Sequence, residues 1–316
     1  MVETTIIDAH VHLFPSKELG VLSKGDYDIW EYGAKDDVRF SKYNGTIKDT
    51  LQAMEKARVE KVVVVHMFDA IFFGSQVLVD YIGKIDEIKN GEPEAIYEMV
   101  FWAELFKASN IWVCKVNQKY PQILPFINVD PYILTTNEAV NHIQEMVEHY
   151  NVKGVKVHPT WQRFYMHDES MMPIWKTCDE LNLPIMAHSG TSRGDKQYGE
   201  PNEFAKVLKS LPNLKIILAH IGGGSWRQIP KIIKYPNAYF DICEIIEWTG
   251  SQYGPTDSEL GRLIKKVGPE RVLMGSDFPW YDIDHTVERV NELPHLTKEE
   301  KEKILGENAA RVLNIQ

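Results

Sequence analysis

Short β-branched runs alternate with amphipathic stretches along the whole chain, and this alternation narrows the fold more than any other feature. The runs are TTIIDAH (4–10), KVVVVH (61–66), ILPFINVD (123–130), KGVKVHP (153–159), LPIMAHSG (183–190), LKIILAH (214–220), AYFDICE (238–244) and RVLMGSD (271–277). Between them lie stretches of helical character at 46–59, 135–150, 170–182, 200–212, 225–236, 257–268 and 297–315. In the first, Ile47, Leu51, Met54 and Ala57 recur at the helical period behind a Thr46 cap. Strands that alternate with helices throughout imply parallel βαβ units, and eight of them predict an α/β fold, the closed (β/α)8 TIM barrel. An open doubly wound sheet is the alternative, but no glycine-rich dinucleotide turn follows the first run.

At 316 residues the chain has the length of one such barrel. We read 1–316 as a single barrel domain with a helical insertion at about 68–120, between the second and third strands, carrying Trp102 and Trp112. That insertion reads as a cap, an oligomer contact or a lengthened outer helix. With 44% apolar residues there is enough to fill a large core, and a net charge of −10 argues against a nucleic-acid or membrane-surface binder. Three cysteines, Cys114, Cys178 and Cys243, lack CxxC spacing and form no disulfide framework. No basic segment with an apolar h-region opens the chain, and no apolar run is long enough to span a bilayer. The expectation is a cytosolic protein with a small-molecule substrate, no nucleic-acid or membrane partner, and room for a homodimer.

In a (β/α)8 barrel the active site is built at the carboxyl ends of the strands. Those ends carry His10 and His12, then His66, Asp130, His158, His188, His220, Glu244 and Asp277. Six of the eleven histidines fall there, a concentration that packing does not call for. His10 and His12 are two apart, so on a strand they leave the same face together, with Asp8 one layer below. Imidazoles and carboxylates at one mouth suit one divalent cation: zinc first, with manganese, cobalt or iron(II) as alternatives.

The motifs DAHVH, LPIMAHSG, LAHIGGGS and GSDFPW, with the ending ILGENAARVLNI, resemble the amidohydrolase superfamily. The match is to its amidohydrolase-related branch, which includes the aminocarboxymuconate-semialdehyde decarboxylase type. The resemblance runs from residue 6 to residue 315. It implies a metal-dependent enzyme on a TIM barrel, with His10, His12, His188 and Asp277 as metal ligands. Asp277 would also hold the proton of the activated water, and His220 would be the unligated histidine that orients water or substrate. The chemistry agrees, because an ion lowers the pKa of its water and a nearby carboxylate and imidazole move the proton.

Lys156 and His158 share a face of the fourth strand. Binuclear relatives carry a carbamylated lysine near this end, so Lys156 is a candidate bridge to a second ion; otherwise its charge pairs with Asp8 or another carboxylate. His158 then reads as a substrate-side or supporting residue, and His66 as a capping one. Phe14, Trp161, Arg163 and Trp280 lie just beyond strand ends and are candidate substrate contacts, the arginine as a clamp for a carboxylate. Glycines 222–224 either let backbone approach the substrate or simply make a turn.

Two reactions fit the same ligands. In hydrolysis, metal-activated water attacks an amide, ester or lactone carbonyl. In non-oxidative decarboxylation, an unsaturated or aromatic acid loses carbon dioxide as Asp277 or His220 assists protonation of carbon. GVKVHPTWQRF with GSDFPW resembles the family's broad predicted-hydrolase group more than the decarboxylase proper, which leans the reading to a hydrolase. A third reading is a barrel that binds metal but has lost catalysis.

Overall fold

The computed structural model describes residues 5–25, 30–68, 93–192 and 194–315, with side chains omitted for 93–100. Eight strands form one parallel sheet in sequential order. They are β1 (Ile7–Val11), β2 (Lys61–Val65), β3 (Ile123–Asn128), β4 (Gly154–Val157), β5 (Ile185–Ala187), β6 (Ile216–Leu218), β7 (Ala238–Asp241) and β8 (Val272–Leu273). Closure comes from backbone past β8 running beside β1. Ala9 N donates to Met274 O at 2.9 Å, and Asp277 N donates to His10 O at 2.9 Å. The expected TIM barrel is therefore the observed one.

Alternation in the strands separates two cores. Val63, Val65, Leu124, Phe126, Met186, Ile217 and Leu273 belong to an inner cluster, joined by Ala309 and Val312 near the carboxyl end of the chain. Val62, Val64, Ile123, Val155, Ile185 and Ile216 belong to the outer cluster under the helices. Each such side chain removed from water contributes about 1.5–3 kcal/mol before entropy is counted.

The first strand departs from simple alternation. Asp8 pairs with Val62 but Val11 pairs with Val64, so three steps on β1 match two on β2. The extra residue is a bulge, a device that re-aims the residues after it. Because Val11 pairs with the outward Val64, His10 and His12 turn into the barrel. Asp8 pairs with outward Val62 and holds the bulge: its carboxyl accepts from His10 N at 3.1 Å and from Ser276 N at 3.0 Å. Asp8 thus supports the junction of β1 with the segment after β8 and does not lie beneath the two imidazoles.

The helices are α1 (Lys17–Gly25), α2 (Ile47–Ala57), α3 (Pro93–Lys119), α4 (Thr136–His149), α5 (Met172–Glu180), α6 (Ala205–Ser210), α7 (Asp257–Val267), α8 (Ile283–Glu292), α9 (Lys298–Glu302) and α10 (Asn308–Val312). Thr46, Thr135, Thr256 and Thr297 each cap a helix in a box closed by an acid three residues on. Part of the expected insertion is the single 27-residue helix α3; residues 69–92 lie outside the described residues.

Two expectations need correction. No α-helix fills 225–236: residues 219–231 form a 3-10 stretch broken at His220, Ile221, Gly222 and Gly223, with Pro230 inside it. Pro230 removes an N–H in the middle of 225–236, and Gly222–Gly224 just ahead of it give no helical start. Helix α8, absent from the sequence reading, buries only Ile283, Thr286 and Val290 of its ten residues. Among the described residues, no helix is long and apolar enough to cross a membrane.

Candidate active site

Three strand ends supply the centre of the site. His12 Nε2 lies 3.1 Å from Asp277 Oδ1, and His10 Nε2 lies 3.5 Å from the same oxygen. Donor atoms held about 2.0–2.2 Å from one four-coordinate ion stand about 3.3–3.5 Å apart, so this trio has the spacing of a metal cradle. Their donor atoms all lie within 4.8 Å of one another. The other His10 nitrogen, Nδ1, lies 2.8 Å from Asp241 Oδ2. A carboxylate there takes the Nδ1 hydrogen and leaves Nε2 as a lone pair facing Asp277.

Electrostatics favours the same state. Burial, then the Lys156 charge, holds His10 and His12 well below the usual imidazole range, so both are neutral and free to bind a cation. Burial pushes the Asp277 carboxyl up to about 7, with Lys156 pulling it down and Asp241 pushing it up. Lys156 is buried, with Nζ 3.5 Å from His10 Nε2. Burial also lowers its own pKa, while Asp241, Cys243, Asp277 and Glu244 favour its charge. Of the expected partners, Asp8 is not among those groups, and other carboxylates take its place.

His220 and His188 form a second side of the site. Their rings meet edge to face with centroids 4.8 Å apart, and His220 also lies 5.3 Å from the His10 ring. His220, Glu244 and Asp277 form another set of donors within 4.8 Å, as do His10, His220 and Cys243. His188 is in none of these sets among the described residues. Its ring stacks on His158 at 3.8 Å, and His158 stacks on Trp161 at 4.3 Å. The Trp161 backbone N–H donates to His158 Nδ1 at 3.2 Å, which places the hydrogen of that neutral ring on Nε2.

The backbone at three strand ends is strained. His220, Glu244 and Asp277 have φ of 60°, 61° and 59°, and the β-branched Ile221 has 42°. Each left-handed non-glycine residue costs about 1–2 kcal/mol, and such strain collects at functional sites. Asp241 helps hold it, since its Oδ1 accepts from His220 N at 2.8 Å.

The candidate substrate contacts are spread out. Trp280 is buried with its ring edge-on to His12 at 5.0 Å, and Phe14 is buried behind it at 6.3 Å. Trp161 is 45% exposed, and Arg163 is exposed with its carbonyl accepting from Tyr132 Oη at 3.1 Å. His66 Nε2 meets Ser109 Oγ of α3 at 3.1 Å, a link between β2 and the insertion. Sequence reasoning missed Asp241, Cys243 and Glu31. Asp241 sits two residues inside a strand-end motif and could have been found by register. Cys243 Sγ lies 3.1 Å from both His10 Nδ1 and His220 Nδ1. Glu31 carries no local signal; burial and Glu244 push its carboxyl up to about 8.

Barrel and donor set together define an enzyme class, the cation-dependent (β/α)8 barrels with a histidine pair on the first strand and an aspartate after the last. Within it the chain belongs to the amidohydrolase family, whose sequence model matches residues 89–315. It is 23% identical over 210 residues to the 2-amino-3-carboxymuconate-6-semialdehyde decarboxylase of Dictyostelium discoideum, covering 57% of this chain and 58% of that protein. The chain thus spans less than two thirds of that relative's length. Its fold is shared with the 5-carboxyvanillate decarboxylase of Sphingomonas paucimobilis, at TM-score 0.65, 14% identity and coverage of 99% and 100% of the two chains. It is shared too with a dihydroxybenzoic acid decarboxylase of Polaromonas with bound manganese and the inhibitor 2-nitroresorcinol, at TM-score 0.66, 16% identity and coverage of 99% and 98%.

Proposed function

We propose that the protein is a metal-dependent, non-oxidative decarboxylase of a small unsaturated or aromatic carboxylic acid. The observation that carries its metal dependence is the convergence of His10 Nε2 and His12 Nε2 on Asp277 Oδ1. The decarboxylases among the chain's relatives support carbon dioxide loss over hydrolysis, against the lean of the sequence motifs.

His10, His12 and Asp277 would hold the ion, with His188 as a further imidazole. Zinc and manganese both suit this nitrogen and oxygen set, and the manganese bound in the Polaromonas enzyme makes that ion the first to try. When bound, the ion supplies positive charge that anchors an acidic substrate and stabilises the electron density left as carbon dioxide departs. Asp277, beside the ion, would take up and return a proton, and His220 would pass it to carbon. Trp161 and Arg163 on the His158 side, and Trp280 and Phe14 on the His12 side, would be the contacts of an acidic ring. The same reading takes the protein as cytosolic, leaves room for a homodimer, and needs no nucleic acid or membrane.

The test loads the full chain with manganese or zinc and offers carboxylated aromatic and unsaturated acids beside matched amides, esters and lactones. Carbon dioxide release that disappears in Asp277→Asn is expected. Hydrolysis without carbon dioxide would move the assignment to a hydrolase. Bound metal with neither activity across the panel would favour the inactive metal-binding barrel.

A further inference from the structure

We infer that Glu31, on the segment between α1 and α2, is a positioning residue that ties together the two loops leaving His188 and His220. Its Oε2 accepts from Thr191 N at 2.8 Å and from Gly224 N at 3.0 Å. Thr191 lies three residues beyond His188, and Gly224 four beyond His220. One carboxyl oxygen therefore joins three segments of the mouth, those following β1, β5 and β6.

The glycines around it show that the site is shaped for this side chain. A Cβ on Gly190 or on Gly223 would come within 2.7 Å of Glu31 Oε2. A Cβ on Gly224 would come within 2.5 Å of the Glu31 carbonyl oxygen. Real Cβ atoms do not approach that closely, so all three positions are held open. The glycines of HSG and HIGGGS accordingly make room for Glu31, beyond any turn they form; Gly222 and Gly223 also have positive φ.

Backbone N–H groups in such loops have no ladder partner and need an acceptor. A carboxyl oxygen, with two lone pairs, can accept both. The loops are tied to each other as well: Ser189 Oγ donates to Ala219 O at 2.6 Å and accepts from Gly222 N at 3.2 Å, and Thr191 Oγ1 lies 3.0 Å from Ser225 Oγ. Those bonds fix one loop against the other; Glu31 fixes both against the segment after β1. The edge-to-face contact of the His188 and His220 rings is set by the loops so held. The inference rests on the reading of these two histidines as members of the site.

The test uses no substrate, so its outcome is separate from that of the decarboxylase assay. Histidine ring correlations are recorded by NMR on the metal-free full chain with labelled histidine, for wild type, Glu31→Ala, Glu31→Asp and Glu31→Gln. Peaks are assigned by single histidine substitutions. In Glu31→Ala and Glu31→Asp the His188 and His220 peaks are expected to move by more than a linewidth, while those of His142 and His295 stay in place. Glu31→Gln, whose carbonyl oxygen still accepts both N–H groups, returns them. Glu31→Asp keeps the carboxyl group but is one methylene short, and it decides the matter if Glu31→Ala does not fold. Unmoved His188 and His220 peaks in the folded shortened variants, or a folded Glu31→Gln that fails to return them, would overturn the inference.

Discussion

His10 Nδ1 and Asp241 Oδ2 are 231 positions apart in the chain and 2.8 Å apart in the barrel. Asp241 ends β7, and its other oxygen accepts the His220 N–H, so one carboxylate orients both a candidate ligand and a candidate proton carrier. An amide in its place can present N–H to His10, which forces the imidazole hydrogen onto the nitrogen that faces Asp277. Asp241→Asn is therefore expected to weaken manganese or zinc binding about 10–100-fold while the chain stays folded. Competition with a fluorescent chelator, beside circular dichroism, measures both. Unchanged affinity would mean that His10 does not use Nε2 on the ion.

Lys156 places an ammonium 3.5 Å from His10 Nε2, at the edge of the cradle. A cation entering there meets like charge. Two unit charges about 4 Å apart interact by about 4 kcal/mol at an effective dielectric of 20, so partial relief still matters. Lys156→Met is expected to bind one manganese or zinc per chain at least about tenfold more tightly than wild type. Elemental analysis gives the stoichiometry and chelator competition the affinity, with His12→Ala as the variant that loses the ion. If wild type held two ions and Lys156→Met fewer, the lysine would be a modified bridging ligand.

Gly275 is the glycine of GSDFPW, and its place is fixed by what lies over it. A Cβ there would stand 2.6 Å from His10 Cβ and 3.1 Å from Cys243 Cβ. Neither atom is the free end of a long side chain, so backbone has to shift. Gly275→Ala is expected to cost about 1–3 kcal/mol of stability, as overpacked cores do, and to weaken metal binding by displacing His10. Urea denaturation and the same chelator assay report the two effects. A variant as stable as wild type and with full affinity would show that β1 and the segment after β8 can separate freely.

What the sequence disclosed follows from what repeats locally. The strands were legible because their valines and isoleucines are consecutive, and the histidine ring because strand ends carry the site in this fold. The bulge in β1 was not legible: it is a mismatch of pairing between two strands, and neither strand alone records it. Asp241 and Cys243 gained meaning only when β7 came round beside β1. Glu31 sits in a stretch without periodicity, and its partners are 160 and 193 residues away. Helix α8 escaped notice because it buries so little, and the 225–236 helix was overread because its apolar spacing hid the weight of Pro230 within it and of Gly222–Gly224 just before it.

Asp130, two residues beyond β3, links that strand end to the loop that carries His158. It is 3% exposed; one oxygen accepts from Tyr132 N at 2.8 Å and the other from Gln162 Nε2 at 3.0 Å. Gln162 in turn accepts the His158 N–H at 2.7 Å. Burial pushes the Asp130 carboxyl from 3.8 up to about 6, and hydrogen bonds from Tyr132, Gln162 and Ile133 pull it back only in part. Unfolded, the group gives up its proton near its ordinary value; folded, near pH 6. Between those values the folded state holds more protons, so the stabilisation is full at the acid end and is lost as pH rises through about 6. Asp130→Asn cannot titrate. The stability of wild type relative to this variant is therefore expected to be greatest near pH 4 and to shrink toward pH 7, read from urea midpoints across that range. A difference that instead grew with pH would mean that Asp130 is held as a carboxylate, with a cation near it in solution.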